Sequence, residues 1–140
     1  DGAVLLTLEG EQPGDNLGRQ AGAAGDWDGD GHADLLAGAN LCDALGADAG
    51  RAYLFSGKDG SVLATFDGEE PGDKFGVALC GHTQDGVTWI AAGADNAGER
   101  DGGIVYVFTW NSGTSGLPAR SSKVALTSMK PPLTCSQATR

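Results

Sequence analysis

No apolar run among the 140 residues approaches the about 20 consecutive positions that a bilayer-spanning helix needs, so helical membrane insertion is excluded. Basic residues are scarce: 9 Lys and Arg stand against 19 Asp and Glu, for a net charge of −10. A phosphate backbone requires a basic face, so nucleic acid is not the expected partner, and neither is an anionic membrane surface. Histidine occurs only at His32 and His82, and neither lies in a nucleophile–base arrangement. Lys58 lacks the upstream glycine and the following Ser or Thr of a phosphate-binding loop, and reads as a turn residue. Glu70 and Asp73 resemble a glycosidase pair, but their counterparts Gln12 and Asp15 mark them as a repeated linker. The chain is therefore expected not to be an enzyme. The three cysteines, Cys42, Cys80 and Cys135, have no metal-like spacing and allow at most one intrachain disulfide, whose pairing stays open. No stretch of eleven residues keeps a 3.6-residue apolar period, so no long helix is expected.

Glycine and aspartate are abundant. Gly occupies 24 of 140 positions, against a usual share of about 7%. All acidic residues lie between Asp1 and Asp101, and residues 111–140 carry only basic charge. An internal repeat organises the acidic part. Residues 1–18 match residues 59–76 at an offset of 58, from Asp1-Gly2-Ala3-Val4-Leu5 against Asp59-Gly60-Ser61-Val62-Leu63 to Leu17-Gly18 against Phe75-Gly76. Leu36–Ala39 matches Ala91–Ala94 at 55, and Gly50–Phe55 matches Gly103–Phe108 at 53. Offsets that shrink between matched apolar runs are what loops of unequal length produce.

Each unit holds short apolar runs between Gly, Asp, Asn and Pro, which are strand and turn signals. Leu35–Gly38 reads as a buried strand and Ala52–Ser56 as the next. Ser56–Gly60 reads as a hairpin turn with Asp59 and Gly60 at positive φ, and Val62–Phe66 as the returning strand. About four strands per 55 residues is the arithmetic of a β-propeller blade. The expected fold is all-β, with four-stranded antiparallel blades: one blade over 17–66, three strands of a second over 75–109, and Val4–Leu8 as the last strand of a preceding blade. Residues 111–140 are expected as a poorly ordered tail or a degenerate last strand around Lys123–Thr127.

One segment carries chemistry. Asp26-Trp27-Asp28-Gly29-Asp30-Gly31-His32-Ala33-Asp34 places carboxylates at positions 1, 3, 5 and 9 of nine. Gly29 and Gly31 let the backbone curl so that alternate residues converge. Unrelieved, each carboxylate pair about 5 Å apart costs up to about 3 kcal/mol at an effective dielectric of 20. A hard cation accepting six to eight oxygens relieves that repulsion, with the His32 carbonyl as a further ligand; this favours Ca²⁺ over Mg²⁺ and over Zn²⁺. Position 12 is Ala37 rather than the bidentate Glu of an EF-hand.

The order of Leu17-Gly18, the Asp loop and Gly38-Ala39, then Phe75-Gly76 and Gly93-Ala94, resembles the FG-GAP repeat, the blade unit of the integrin α-subunit propeller. The resemblance covers residues 1–109 and implies a secreted or cell-surface propeller with Ca²⁺ between the first two strands of some blades. It implies Asp26, Asp28, Asp30, Asp34 and the backbone of His32 as metal ligands. The function expected from it is a Ca²⁺-stabilised binding or adhesion module for a protein or glycan ligand. The alternative is a non-catalytic glycan-binding accessory domain of a secreted polysaccharide-degrading enzyme; Trp27, Trp89 and Trp110 offer rings that could stack on a sugar, although packing or loop-surface roles are the more expected ones for them. About two blades fall short of the four to eight that close a propeller, so a longer chain, self-association or poor stability is expected. Metal is expected in the first unit only: His82-Thr83-Gln84-Asp85 keeps one carboxylate, and Trp89 stands at the position of Asp34 and fills the space.

Overall fold

The computed structural model describes residues 2–111 and the backbone of 124–125. The expectations for 112–123 and 126–140 lie outside the described residues. The chain is all-β. Strands β1 (Leu17–Gly25), β2 (Asp34–Ala39), β3 (Arg51–Phe55) and β4 (Val62–Asp67) form one antiparallel sheet in sequential order. Strands β5 (Phe75–Gln84), β6 (Val87–Ala94), β7 (Ile104–Asn111) and β8 (Val124–Ala125) form a second in the same order. The only helical element among the described residues is a 3-10 turn at Glu99–Asp101.

The register shows why the repeat reads as it does. Leu17 pairs with Ala39 and Gln20 with Gly38; Phe75 pairs with Ala94 and Ala78 with Gly93. Both first strands thus carry an irregularity at the same place, at Gly18 and Gly76, each with positive φ. The linkers repeat too. Asp15 and Asp73 are buried and accept amide hydrogen bonds, Asp15 from Gln12 and Asp73 from Glu69 and Glu70. These carboxylates hold the linker turn, which is the structural role that their repetition suggested.

The sheets stack by opposite faces. Leu36, Ala52 and Leu54 of the first sheet meet Phe75, Leu79, Ile90, Ala92, Tyr106 and Phe108 of the second in one core. The other face of the first sheet holds Ala37, Ala39, Tyr53 and Phe55, with Leu8 and Leu17 against them. Strands alternate their side chains, so each sheet has two apolar faces. Tyr53 and Phe55 correspond to Tyr106 and Phe108 in the repeat, yet the first pair lies on the side away from the neighbouring sheet and the second lies against it. The two units are therefore related by a step in one direction, like successive blades.

Three expectations are corrected. Val4–Leu8, expected as a strand, pairs with no strand among the described residues, and Val4 and Leu5 are 81% and 91% exposed. At the β3–β4 turn only Gly60 has positive φ; Asp59 instead accepts the Ser61 amide with its side chain. The connection between β5 and β6 is not a shortened version of the Asp loop. Both strands run on to Gln84 and Val87, and Asp85-Gly86 alone closes the hairpin, both at positive φ. That is the two-residue turn that the Asp-Gly pair favours between twisted strands.

Candidate metal centre

The Asp loop joins β1 to β2, at the end of the sheet where the β3–β4 turn also lies. Its first aspartate organises the backbone. Asp26 Oδ1 accepts the amides of Gly29 (2.8 Å) and Asp30 (3.0 Å), and Oδ2 accepts that of Gly31 (3.0 Å). Asp28 accepts a second bond from the Asp30 amide at 3.1 Å. These bonds curl the loop, with Gly29 and Gly31 at φ of +80° and +89°.

Asp34 closes the loop from the first position of β2. It is fully buried, and its two oxygens accept the Trp27 amide at 2.7 Å and the Gly57 amide at 3.1 Å. Gly57 comes so close that a Cβ there would lie 1.8 Å from the Ala33 carbonyl oxygen, so only glycine can deliver that amide. Burial pushes the Asp34 carboxyl above the ordinary carboxylate range, the Gly57 and Trp27 amides pull it down, and the neighbouring charges of Asp28 and Asp26 push it up again.

The result is a group of three carboxylates, Asp26, Asp28 and Asp34, with an oxygen from each lying within 4.8 Å of the others. Asp30 stands outside this group. Its Oδ1 accepts the His32 amide at 2.8 Å, and its Oδ2 is 3.8 Å from the ammonium of Lys58. A lysine from the neighbouring turn thus supplies counter-charge to the carboxylate that the motif places at its centre. The His32 residue is exposed. Oxygen-only donors with excess negative charge fit a hard divalent cation such as Ca²⁺; no thiol or imidazole belongs to the group.

The packing role expected for Trp27 is borne out, with partners that the sequence did not indicate. Trp27 is buried and stacks on Trp110 of β7, centroids 5.0 Å apart, with Phe66 edge-on at 6.4 Å. It is a core residue and no sugar platform. It also ties the loop of the first sheet to the second sheet. The Gly57 amide and the Lys58 ammonium had no signal in the sequence, because strands β2 and β3 separate them from the Asp loop. In the second unit, Trp89 does not fill an equivalent space: its side chain is 51% exposed, while the adjacent Thr88 is buried and its hydroxyl lies 2.7 Å from that of Thr83. The bulge between Ala23 and Gly25 shifts the alignment, so Gly81 corresponds to Ala23 rather than to Gly25. Among the described residues, no second group of three metal-ligating side chains forms. No protein-family model matches the chain.

Proposed function

We propose that the chain is a pair of blades from an extracellular propeller of the FG-GAP, integrin-α type, and that it serves as a Ca²⁺-stabilised binding module with no chemistry of its own. The observation that carries the reading is the convergence of Asp26, Asp28 and Asp34 within 4.8 Å in the loop between the first two strands of a four-stranded sheet. Two such sheets, related by a sequence repeat and stacked by opposite faces, support the blade assignment. In this reading Asp26, Asp28 and Asp34 hold the cation. Asp30 joins them by releasing Lys58, and the His32 carbonyl supplies a further oxygen. Bound Ca²⁺ cancels the mutual repulsion of the carboxylates. Through Trp27 it stiffens the junction of the two sheets, which keeps the loops at the opposite end in fixed relation for a protein or glycan ligand.

Calorimetric titration with Ca²⁺ tests this. One site per chain is expected, with affinity near the about 10⁻⁴–10⁻³ M typical of extracellular modules. At a hundredfold excess over the dissociation constant, the fold should gain about 2.7 kcal/mol, and chelation should reverse the gain. Absence of both binding heat and thermal shift would refute the reading, and a stoichiometry of two would refute the single-site assignment.

A further inference from the structure

Among the described residues, the second sheet leaves one face open, and the first sheet leaves open the β1 side of its outer face, the rest of which (Ala37, Ala39, Tyr53 and Phe55) is buried with Leu8 and Leu17 against it; the repeat relates each open area to one that is covered. On the second sheet, Ala78, Cys80, Ala91, Gly93 and Val105 line a shallow, mostly apolar groove. Their counterparts by register and repeat in the first sheet include Leu36, Gly38 and Ala52, which face the second sheet. Leu36 and Ala52 are fully buried there, whereas Val105, the counterpart of Ala52, is 51% exposed. On the first sheet, Ala21 and Ala23 are exposed and Leu35 is 36% exposed. Their counterparts are Leu79, Gly81 and Ile90. Leu79 and Ile90 are 7% and 0% exposed, and Gly81 sits against Ala24 and Leu36.

The free face of the second sheet is thus the type of surface that the free face of the first sheet is shaped to cover. The glycines repeat the point. Gly38 and Gly76 touch across the internal junction, whereas their counterparts Gly93 and Gly18 meet no residue from another sheet.

We propose that a second copy of this chain docks head to tail, its first sheet on the free face of the second sheet, continuing the internal junction across molecules. The occupant follows from that junction, because the chain carries both halves of the contact. In the docked pair, β7 of one copy would meet Val4–Leu8 of the other, the segment equivalent to β4, at the edge where β8 pairs through Val124 and Ala125, in competition with β8. The docking does not depend on whether the Asp loop takes a cation. The net charge of −10 opposes it, so salt should strengthen it.

Sedimentation velocity of the 140-residue chain should show mass rising with concentration. Val105→Lys blocks one free face and Ala23→Lys the other, and both positions are exposed, so each variant should fold and remain a monomer. Mixing the two should restore a complex that stops at a 1:1 dimer, because one intact face of each kind remains. Circular dichroism of each variant separates misfolding from lost docking. A wild-type chain that stays monomeric at its highest soluble concentration would overturn the proposal. So would two folded variants that fail to combine, or variants that still self-associate alone; the last two results would point to a symmetric contact or a different surface.

Discussion

Gly38 of β2 lies against the backbone of Gly76 of β5 so closely that a Cβ on Gly38 would sit 2.1 Å from the Gly76 carbonyl oxygen. The contact brings the two sheets together backbone to backbone, and Gly76 can turn there because its φ is +89°. One glycine comes from each pair that marks the repeat, Gly38-Ala39 and Phe75-Gly76.

Gly38→Ala should therefore force the sheets apart and cost about 1–3 kcal/mol, the range of overpacked cores. Gly93→Ala is the control: its added methyl would meet nothing nearer than Ala78 Cβ at 3.4 Å, and it should leave the stability of the monomer almost unchanged. Denaturant melts of the two variants in dilute solution check the contrast.

Asp34 and Asp28 should separate structural from metal-binding roles. Asp34→Ala leaves the Trp27 and Gly57 amides without their acceptor inside the protein, at about 1–3 kcal/mol for each unsatisfied donor. It should destabilise the chain with or without Ca²⁺. Asp28 is exposed, and Asp28→Ala should barely change the metal-free melting temperature while removing the rise produced by Ca²⁺. Paired thermal melts in Ca²⁺ and in chelator distinguish the outcomes.

In the proposed reading, Lys58 would compete with a bound cation for Asp30. Its side chain is 60% exposed, so its attraction to Asp30 is at most about 1 kcal/mol. Lys58→Gln should tighten Ca²⁺ binding by up to about fivefold. Calorimetry at two ionic strengths should show the gain shrinking as salt rises.

Tyr53 and Tyr106 occupy equivalent positions with unequal partners. The Tyr106 hydroxyl donates to Glu69 at 3.1 Å. The equivalent Glu11 is held by Arg51, which also forms a paired contact with Asp67, and the buried Tyr53 hydroxyl makes no hydrogen bond of normal geometry among the described residues, only a looser approach to the Arg51 guanidinium. Tyr106→Phe should thus cost about 1 kcal/mol, while Tyr53→Phe should be neutral or stabilising.

Burial pushes both phenols from 10.0 up to about 12, with Glu69 adding to the shift at Tyr106 and Arg51 opposing it at Tyr53. A raised phenol pKa means that the fold favours the protonated form. Its contribution is complete below pH 10 and is lost as the pH rises through about 12. Stability should fall over that window, and less steeply in the double Phe variant, as followed by melts beside a tyrosinate absorbance titration.

The sequence by itself determined the all-β class, the two repeated units, the strands β2 to β4 and the Asp loop. Each of these rests on neighbours close along the chain: alternation of two, turn residues at fixed places, and carboxylates spaced within nine residues. The Asp85-Gly86 hairpin was equally local, and it was missed because alignment to the Asp loop outweighed its turn chemistry. Only the tertiary structure decided the rest. Val4–Leu8 pairs with no strand among the described residues, since strand pairing requires a neighbour. Trp27 is core because Trp110, far along the chain, stacks on it. Asp30 stands outside the carboxylate group, with one oxygen on the His32 amide and the other facing Lys58, which only the folding back of two strands brings near. Such pairings depend on which surfaces meet, and a one-dimensional pattern fixes each face of a sheet without fixing what lies against it.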